Sequence, residues 1–112
     1  MHAAKWAEDR RELQERYLEL TRHELPARAA RDHWRLSEDH CFMRIILDQL
    51  FQDCWYDHLD KRLPAYKQLN NDQLRKAIEF AQQILSEGYP LLNRWNFESL
   101  QWRIAYRRRI KS

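Results

Sequence analysis

Glycine is almost absent from this 112-residue chain, which contains Gly88 and no other glycine. Loops that bind phosphates or dinucleotides need several glycines, because the backbone must approach the ligand with a positive φ and without a Cβ atom. A chain with one glycine cannot form a G-x-G-x-x-G turn or a Walker A loop, so nucleotide-dependent chemistry of those types is excluded. Tight two-residue hairpins are also difficult to form, which favours an all-α fold. We therefore expect no cofactor.

Long apolar runs are also missing. No stretch approaches the roughly 18 apolar residues of a membrane span, and the N-terminal segment lacks the layout of a signal peptide. We therefore expect no membrane partner and a cytoplasmic location. The two cysteines, Cys41 and Cys54, would lie about 20 Å apart along one helix, which predicts free thiols.

The overall composition is that of a folded protein, with 44% hydrophobic and 33% charged residues. At 13.9 kDa, residues 1–112 are expected to form a single helical domain. The chain contains five Trp, five Tyr and four Phe. So many rings indicate either a strongly aromatic core or a surface that meets a partner.

The spacing of apolar residues predicts a compact all-α bundle of four main helices and a short extra helix. The main helices are expected over residues 3–24, 38–59, 72–86 and 96–110, and the short one over residues 27–35. The second main helix is apolar over most of its circumference, which is typical of a central helix. The last places Phe97, Leu100 and Ile104 on one face, and Trp102 and Tyr106 on another.

Several residues predict where these helices begin and end. Pro26 is expected to end the first helix or to begin the next short one. Asn70 and Gln73 have the spacing of a capping box, and Asn96 is expected to cap the last helix. Gly88 fits the left-handed position that follows a helix end.

Residues 40–58 contain a polar cluster with catalytic side-chain types: His40, Cys41, Arg44, Asp48 and His58. The usual helical metal pairs H-x-x-x-H and E-x-x-H are missing, so no metal site is expected. We expect Cys54 in the core, an i,i+4 ion pair between Arg44 and Asp48, and both histidines at the edge of the apolar face. An enzyme that uses this cluster is a second alternative function, and the sequence favours a role without catalysis.

Basic residues are concentrated near the C-terminus. Residues 1–86 contain 14 basic and 15 acidic side chains, whereas residues 87–112 contain six basic and two acidic ones. Three consecutive arginines exceed what is needed to complement a helix dipole. Interleaved Trp, Tyr and Arg are typical of protein interfaces and of surfaces that stack on bases. The predicted partner-binding residues are Trp95, Trp102, Arg103, Tyr106, Arg107, Arg108, Arg109 and Lys111.

The sequence thus predicts a small interaction or regulatory protein that binds a macromolecular partner through this aromatic and basic surface. A protein partner is favoured over nucleic acid, because the first 86 residues add no net positive charge. Nucleic-acid binding through Arg103–Lys111 with Trp102 and Tyr106 is the alternative. The first helix also has a narrow apolar stripe interrupted by Arg10, which is typical of a two-helix seam. Self-association is expected through Trp6, Leu13, Tyr17 and Leu20.

Three segments together carry a resemblance: HCFMRI at residues 40–45, LPAY at residues 63–66 and SLQWR at residues 99–103, with Asp48 and Leu69 between them. This pattern, which spans residues 38–103, resembles a group of short uncharacterised bacterial proteins, some of which carry an acetyltransferase label. The resemblance implies a bacterial or phage-like origin and one compact domain. Common acetyl-CoA enzymes bind the pyrophosphate with a glycine-containing loop between a strand and a helix. Because this sequence has no such loop, no activity and no site residue is carried over.

Overall fold

The structure, a computed structural model, describes the backbone of residues 2–111 and the side chains of residues 9–111. Residues 2–111 contain helices and no strand. In chain order the elements are α1 (His2–Glu19), a π-helical turn (Leu20–Glu24), α2 (Leu25–Asp32), α3 (Asp39–Phe51), a 3₁₀ turn (Trp55–Asp57), α4 (Ala65–Gln68), α5 (Asn71–Glu87) and α6 (Tyr89–Lys111). The predicted all-α bundle of four main helices, here α1, α3, α5 and α6, is confirmed.

Pro26 lies inside a longer helical segment than the sequence predicts, because the π turn connects α1 directly to α2. In a regular α-helix the proline ring would clash with the carbonyl of Arg22. Here the Leu25 N–H donates to Leu20 O, five residues back, so the turn before the proline is wider. The π turn therefore lets the helix pass through Pro26 without ending.

Helix α3 is the centre of the core, as its apolar circumference predicts. It contacts α2, α5, α6 and both irregular turns, and its Phe42, Ile45 and Ile46 have no exposed surface. It ends at Phe51, eight residues before the predicted end. The cause is Gln52, which adopts a left-handed conformation (φ 54°, ψ 40°) and bonds its N–H to Asp48 O.

The apolar stripe of α1 packs inward. Tyr17 and Leu20 are 1% and 0% exposed, and burial raises the pKa of Tyr17. Leu13 packs, partly buried, against the same core, whereas the side chain of Trp6 lies outside the described residues. Because Tyr17 and Leu20 are covered by their own chain, the predicted self-association through them is wrong.

Arg10, which interrupts the stripe, ties α1 to the segment before α5. Its guanidinium donates to Asn71 Oδ1 and to the Lys67 carbonyl, both at 3.1 Å. A charged side chain at an otherwise apolar position is therefore explained by hydrogen bonding within the chain. It does not mark a seam for a second copy.

The start of α5 has the predicted cap, whereas the boundary between α5 and α6 differs from the prediction. Asn70 and Gln73 form the predicted capping box, with both hydrogen bonds at 2.8 Å. Helix α6 begins at Tyr89 and not at Asn96, because Pro90 lies in its first turn, where no N–H donor is needed. Asn96 is thus an interior residue of α6, and its predicted role as a cap is wrong. Gly88 has the expected positive φ of 82°, but its ψ of −159° lies outside the left-handed helical region.

Replacing Gly88 with alanine is expected to lower the free energy of unfolding by about 1–3 kcal/mol, because this region of φ and ψ is essentially restricted to glycine. An added Cβ would find open space, since its nearest neighbour is Pro90 Cδ at 3.9 Å, so backbone strain alone causes the loss. Chemical denaturation of Gly88→Ala measures the loss of stability, and Ser86→Ala, at an exposed position, is the control. Asparagine tolerates the left-handed helical region but not this one, so a Gly88→Asn variant as stable as the wild type would contradict the assignment.

Candidate functional site

Polar side chains of α3 and α6 meet around Asp48, which has no exposed surface. Ser99 Oγ donates to Asp48 Oδ2 at 2.6 Å, and Arg103 Nε donates to the same oxygen at 3.0 Å. The backbone N–H of Trp55 donates to Asp48 Oδ1 at 2.9 Å. Both carboxylate oxygens are therefore satisfied inside the protein, as a buried charge requires. We call Arg44, Asp48, Ser99 and Arg103 the Asp48 network.

Arg44 belongs to this network through uncharged acceptors. Its guanidinium donates to Ser99 Oγ at 2.7 Å and to Asn96 Oδ1 at 2.8 Å. The predicted ion pair between Arg44 and Asp48 is therefore wrong, because α6 supplies the partners of both. Since its acceptors carry no charge, the positive charge of Arg44 has no direct carboxylate partner among the described ion pairs.

An open cleft of about 290 Å³ lies above the network, between α3, the 3₁₀ turn and α6. We call it the α3–α6 cleft; it is lined by His40, Met43, Arg44, Leu47, Trp55, Tyr56 and Arg103. The Arg103 guanidinium carbon lies 4.4 Å from the centroid of the Tyr56 ring. Partial burial acts to lower the pKa of Arg103, but the hydrogen bond and the charge of Asp48 outweigh it, so the pKa is raised. Arg103 is thus held in its charged form.

The other members of the predicted polar cluster do not converge. His40 is exposed at the start of α3, with Nδ1 3.2 Å from a Glu38 carboxylate oxygen. Cys41 is a free, partly buried thiol. His58 lies beyond the other end of α3, where its ring stacks on Phe51 with centroids 4.8 Å apart. The two histidines therefore cannot act on one substrate.

The most reactive side-chain types near the cleft are inaccessible. Asp48 and Ser99 have no exposed surface, so a molecule in the cleft does not touch their oxygens. Cys54 is buried in the core, as predicted, and burial raises the pKa of its thiol. A raised pKa lowers the thiolate fraction at neutral pH and makes the thiol less reactive.

The predicted C-terminal surface is divided by the structure. Trp95 is 8% exposed and packs edge-on against Phe80, with ring centroids 5.2 Å apart. Trp102 and Tyr106 are half-buried, and Tyr106 contacts the ring of Tyr56 at 5.6 Å. Trp95 and Tyr106 thus pack against rings of their own chain, and the partly exposed Trp102 stays a predicted contact for a partner.

The basic residues of that surface are divided in the same way. Arg103 belongs to the Asp48 network, and Arg109 pairs with Asp57 and, at 3.6 Å, with Asp53. Arg107, Arg108 and Lys111 are exposed. A binding role for the exposed residues stays a prediction.

The opposite side of α6 carries an apolar stripe that points to solvent. Phe97, Leu100 and Ile104 are 63%, 43% and 36% exposed. The helical period groups them on one face, but it does not say which face of α6 packs on the core. We call this stripe, with the exposed cations Arg94, Arg107 and Lys111, the outer α6 face.

Comparison of the chain with protein-family models, with curated proteins and with solved structures finds no match. Within the described residues, no three His, Cys, Asp or Glu side chains are grouped so that they could hold a metal ion. None of the helices described is long and apolar enough to cross a membrane. Two features that offer binding chemistry are the α3–α6 cleft and the outer α6 face.

Proposed function

We propose that this protein is a small non-enzymatic binding protein that holds a protein partner on the outer α6 face. The observation that carries the proposal is the solvent exposure of Phe97, Leu100 and Ile104 at i, i+3 and i+7 spacing. Contiguous exposed apolar side chains on a helix are typical of an interaction surface. Their spacing suits a partner helix that packs along α6.

The charges beside the stripe favour an acidic partner. Arg94, Arg107 and Lys111 are exposed basic residues of α6, and arginine is frequent at interface hot spots. In an antiparallel pair of two copies, Arg94 of one copy would lie near Arg107 of the other. Because like charges across an interface are unfavourable, the occupant is an acidic amphipathic helix of a different protein and not a second copy.

Nucleic-acid binding is supported less well. Of the residues predicted for it, Arg103 and Arg109 pair with carboxylates of their own chain. Trp102 and Tyr106 are half-buried, so their faces are not free to stack on bases. The exposed side chains that remain are mostly apolar along the stripe, which suits a protein surface better than a phosphate backbone.

The test selects binders from displayed random helical peptides on the purified protein. Enriched peptides are expected to carry apolar residues at helical spacing flanked by Asp and Glu. Phe97→Ala is expected to weaken binding of a selected peptide at least about tenfold, because a large aromatic ring that becomes buried at an interface acts as a hot spot. Fluorescence anisotropy of the labelled peptide measures it. Exposed Gln82→Ala on α5 is the control and should leave the affinity unchanged.

Two results would contradict this proposal. Peptides that bind equally well to the wild type and to Phe97→Ala do not use the outer α6 face. A single-stranded oligonucleotide that binds with steep salt dependence, and is released by Arg107→Gln, would support the nucleic-acid alternative instead.

A further inference from the structure

We infer that the α3–α6 cleft binds a small aromatic oxyanion, a ring that carries a carboxylate or phosphate group. Arg44 and Arg103 would hold the oxyanion, and Trp55 and Tyr56 would contact the ring. The cleft lies on a different face of α6 from Phe97, Leu100 and Ile104, and this inference does not depend on the proposed protein partner.

The cleft has a net positive charge. Arg44 and Arg103 line the same cleft and are joined through Ser99 and Asp48 by three successive hydrogen bonds of 2.7, 2.6 and 3.0 Å. Asp48 compensates Arg103, whereas the acceptors of Arg44 are uncharged. The pair of arginines with one buried carboxylate therefore presents a net positive charge to the cleft.

His40 adds no net positive charge to the cleft, because two carboxylates lie beside it. Glu38 and Asp39 oxygens lie 3.2 and 4.0 Å from His40 Nδ1. Its side chain lies at the rim of the cleft and is 71% exposed. The anion is accordingly expected to contact the arginines and not the imidazole.

The two arginines of the cleft are held in place before a ligand binds. Arg44 uses two donors on Ser99 and Asn96, and Arg103 uses donors on Asp48 and Tyr56. A guanidinium has five N–H donors, so donors of both arginines remain for a ligand. Because these internal bonds fix the two side chains, little conformational entropy is lost when they bind. Planar guanidinium groups match carboxylate and phosphate oxygens.

The shape of the cleft matches a small ring. Two aromatic rings and the apolar side chains of Met43 and Leu47 form the rest of the wall. A volume of about 290 Å³ lies at the lower end of the range for small-molecule sites. The cleft therefore suits one ring with a short charged substituent.

The test is an NMR titration of the full chain with four compounds. Phenyl phosphate and benzoate have both the ring and the charge; inorganic phosphate has the charge alone, and benzyl alcohol has the ring alone. The two aromatic anions are expected to give saturable shifts of the amides that line the cleft below about 10 mM. Inorganic phosphate and benzyl alcohol should bind at least several-fold more weakly.

Three variants, two at Arg44 and one at His40, locate the binding. Arg44→Gln removes the uncompensated charge and is expected to lower the affinity for phenyl phosphate at least about tenfold. The affinity of Arg44→Lys should lie between those of the wild type and Arg44→Gln, because lysine keeps the charge but not the planar guanidinium. His40→Glu adds a negative charge at an exposed rim position outside the Asp48 network, and a several-fold loss is expected. Exposed Lys76→Gln and Phe97→Ala serve as controls and should bind as the wild type does.

The inference fails on any of three results. One is the absence of saturable shifts in the cleft at the highest concentration of the aromatic anions. Another is equal affinity for benzyl alcohol or inorganic phosphate. The third is an unchanged affinity of folded Arg44→Gln for phenyl phosphate. If Arg44→Gln does not fold, an unchanged affinity of His40→Glu for phenyl phosphate decides instead. Peptide binding by Phe97→Ala reports on the outer α6 face, so its outcome neither supports nor contradicts ligand binding in the α3–α6 cleft.

Discussion

Replacing Asp48 with alanine is expected to lower the free energy of unfolding by about 3–5 kcal/mol, because one member of a buried ion pair is removed. Asp48 has no exposed surface, and the side chain of its partner Arg103 is 13% exposed. In the variant the guanidinium of Arg103 is left without its carboxylate. The backbone N–H of Trp55 and the hydroxyl of Ser99 also lose an acceptor. Since small domains are stable by only about 5–15 kcal/mol, this is a large fraction of the total.

Urea denaturation followed by circular dichroism measures the loss, with Asp53→Ala as the matched control. Asp53 also pairs with an arginine of α6, Arg109, but its side chain is 30% exposed and that of Arg109 is 50% exposed. Solvent-exposed ion pairs contribute little, so Asp53→Ala should cost far less. A double-mutant cycle with Arg103→Met is expected to show a coupling of about 1–3 kcal/mol. Equal losses in Asp48→Ala and Asp53→Ala, or additive effects in the cycle, would refute the Asp48 network as a source of stability.

Replacing Phe42 with alanine is expected to lower the free energy of unfolding by about 3–5 kcal/mol as well, through the loss of apolar burial and the cavity that remains. Phe42 has no exposed surface and is one of the largest fully buried side chains. It lies on α3, which contacts helices on several sides, so no single neighbour can move to fill the space. The effect is therefore expected near the upper end for a core substitution.

Met43→Ala on the same helix provides the comparison. Met43 is partly buried and lines the α3–α6 cleft, so its truncation leaves a space that water can enter. We expect it to cost about 1–2 kcal/mol. The same denaturation experiment ranks the two variants, and a Phe42→Ala variant no less stable than Met43→Ala would contradict the burial of Phe42 in the core.

Local sequence signals predicted much of the fold. The amphipathic pattern over residues 72–86 agrees with α5 (Asn71–Glu87) to within one residue at each end, because a capping box and a glycine mark its limits. The errors fall where a local rule has an exception. Asn96 was predicted to cap the last helix, but α6 begins at Tyr89 with Pro90 in its first turn, and Pro26 was accommodated by a π turn. Gln52 ended α3 in a conformation that the sequence gives no reason to expect at a glutamine.

The candidate sites were harder to predict, because they depend on contacts between distant parts of the chain. The spacing of Arg44 and Asp48 suited an ion pair on one helix, yet their partners are Ser99, Asn96 and Arg103 on α6. Helical periodicity says which residues share a face, but not which face meets the core. For α6, Trp95 and Tyr106, which suggested a partner surface, pack against rings of their own chain, and the apolar stripe turns outward.

The order of synthesis gives the Asp48 network a further consequence. Ser99 and Arg103 follow Asp48 by 51 and 55 residues. At the usual speed of a ribosome, Arg103 is added about 3–11 s after Asp48. Throughout that interval the carboxylate lacks Arg103, its ion-pair partner in the folded protein. A nascent chain can thus form α3 early, but α3 can take its final place only once α6 has emerged.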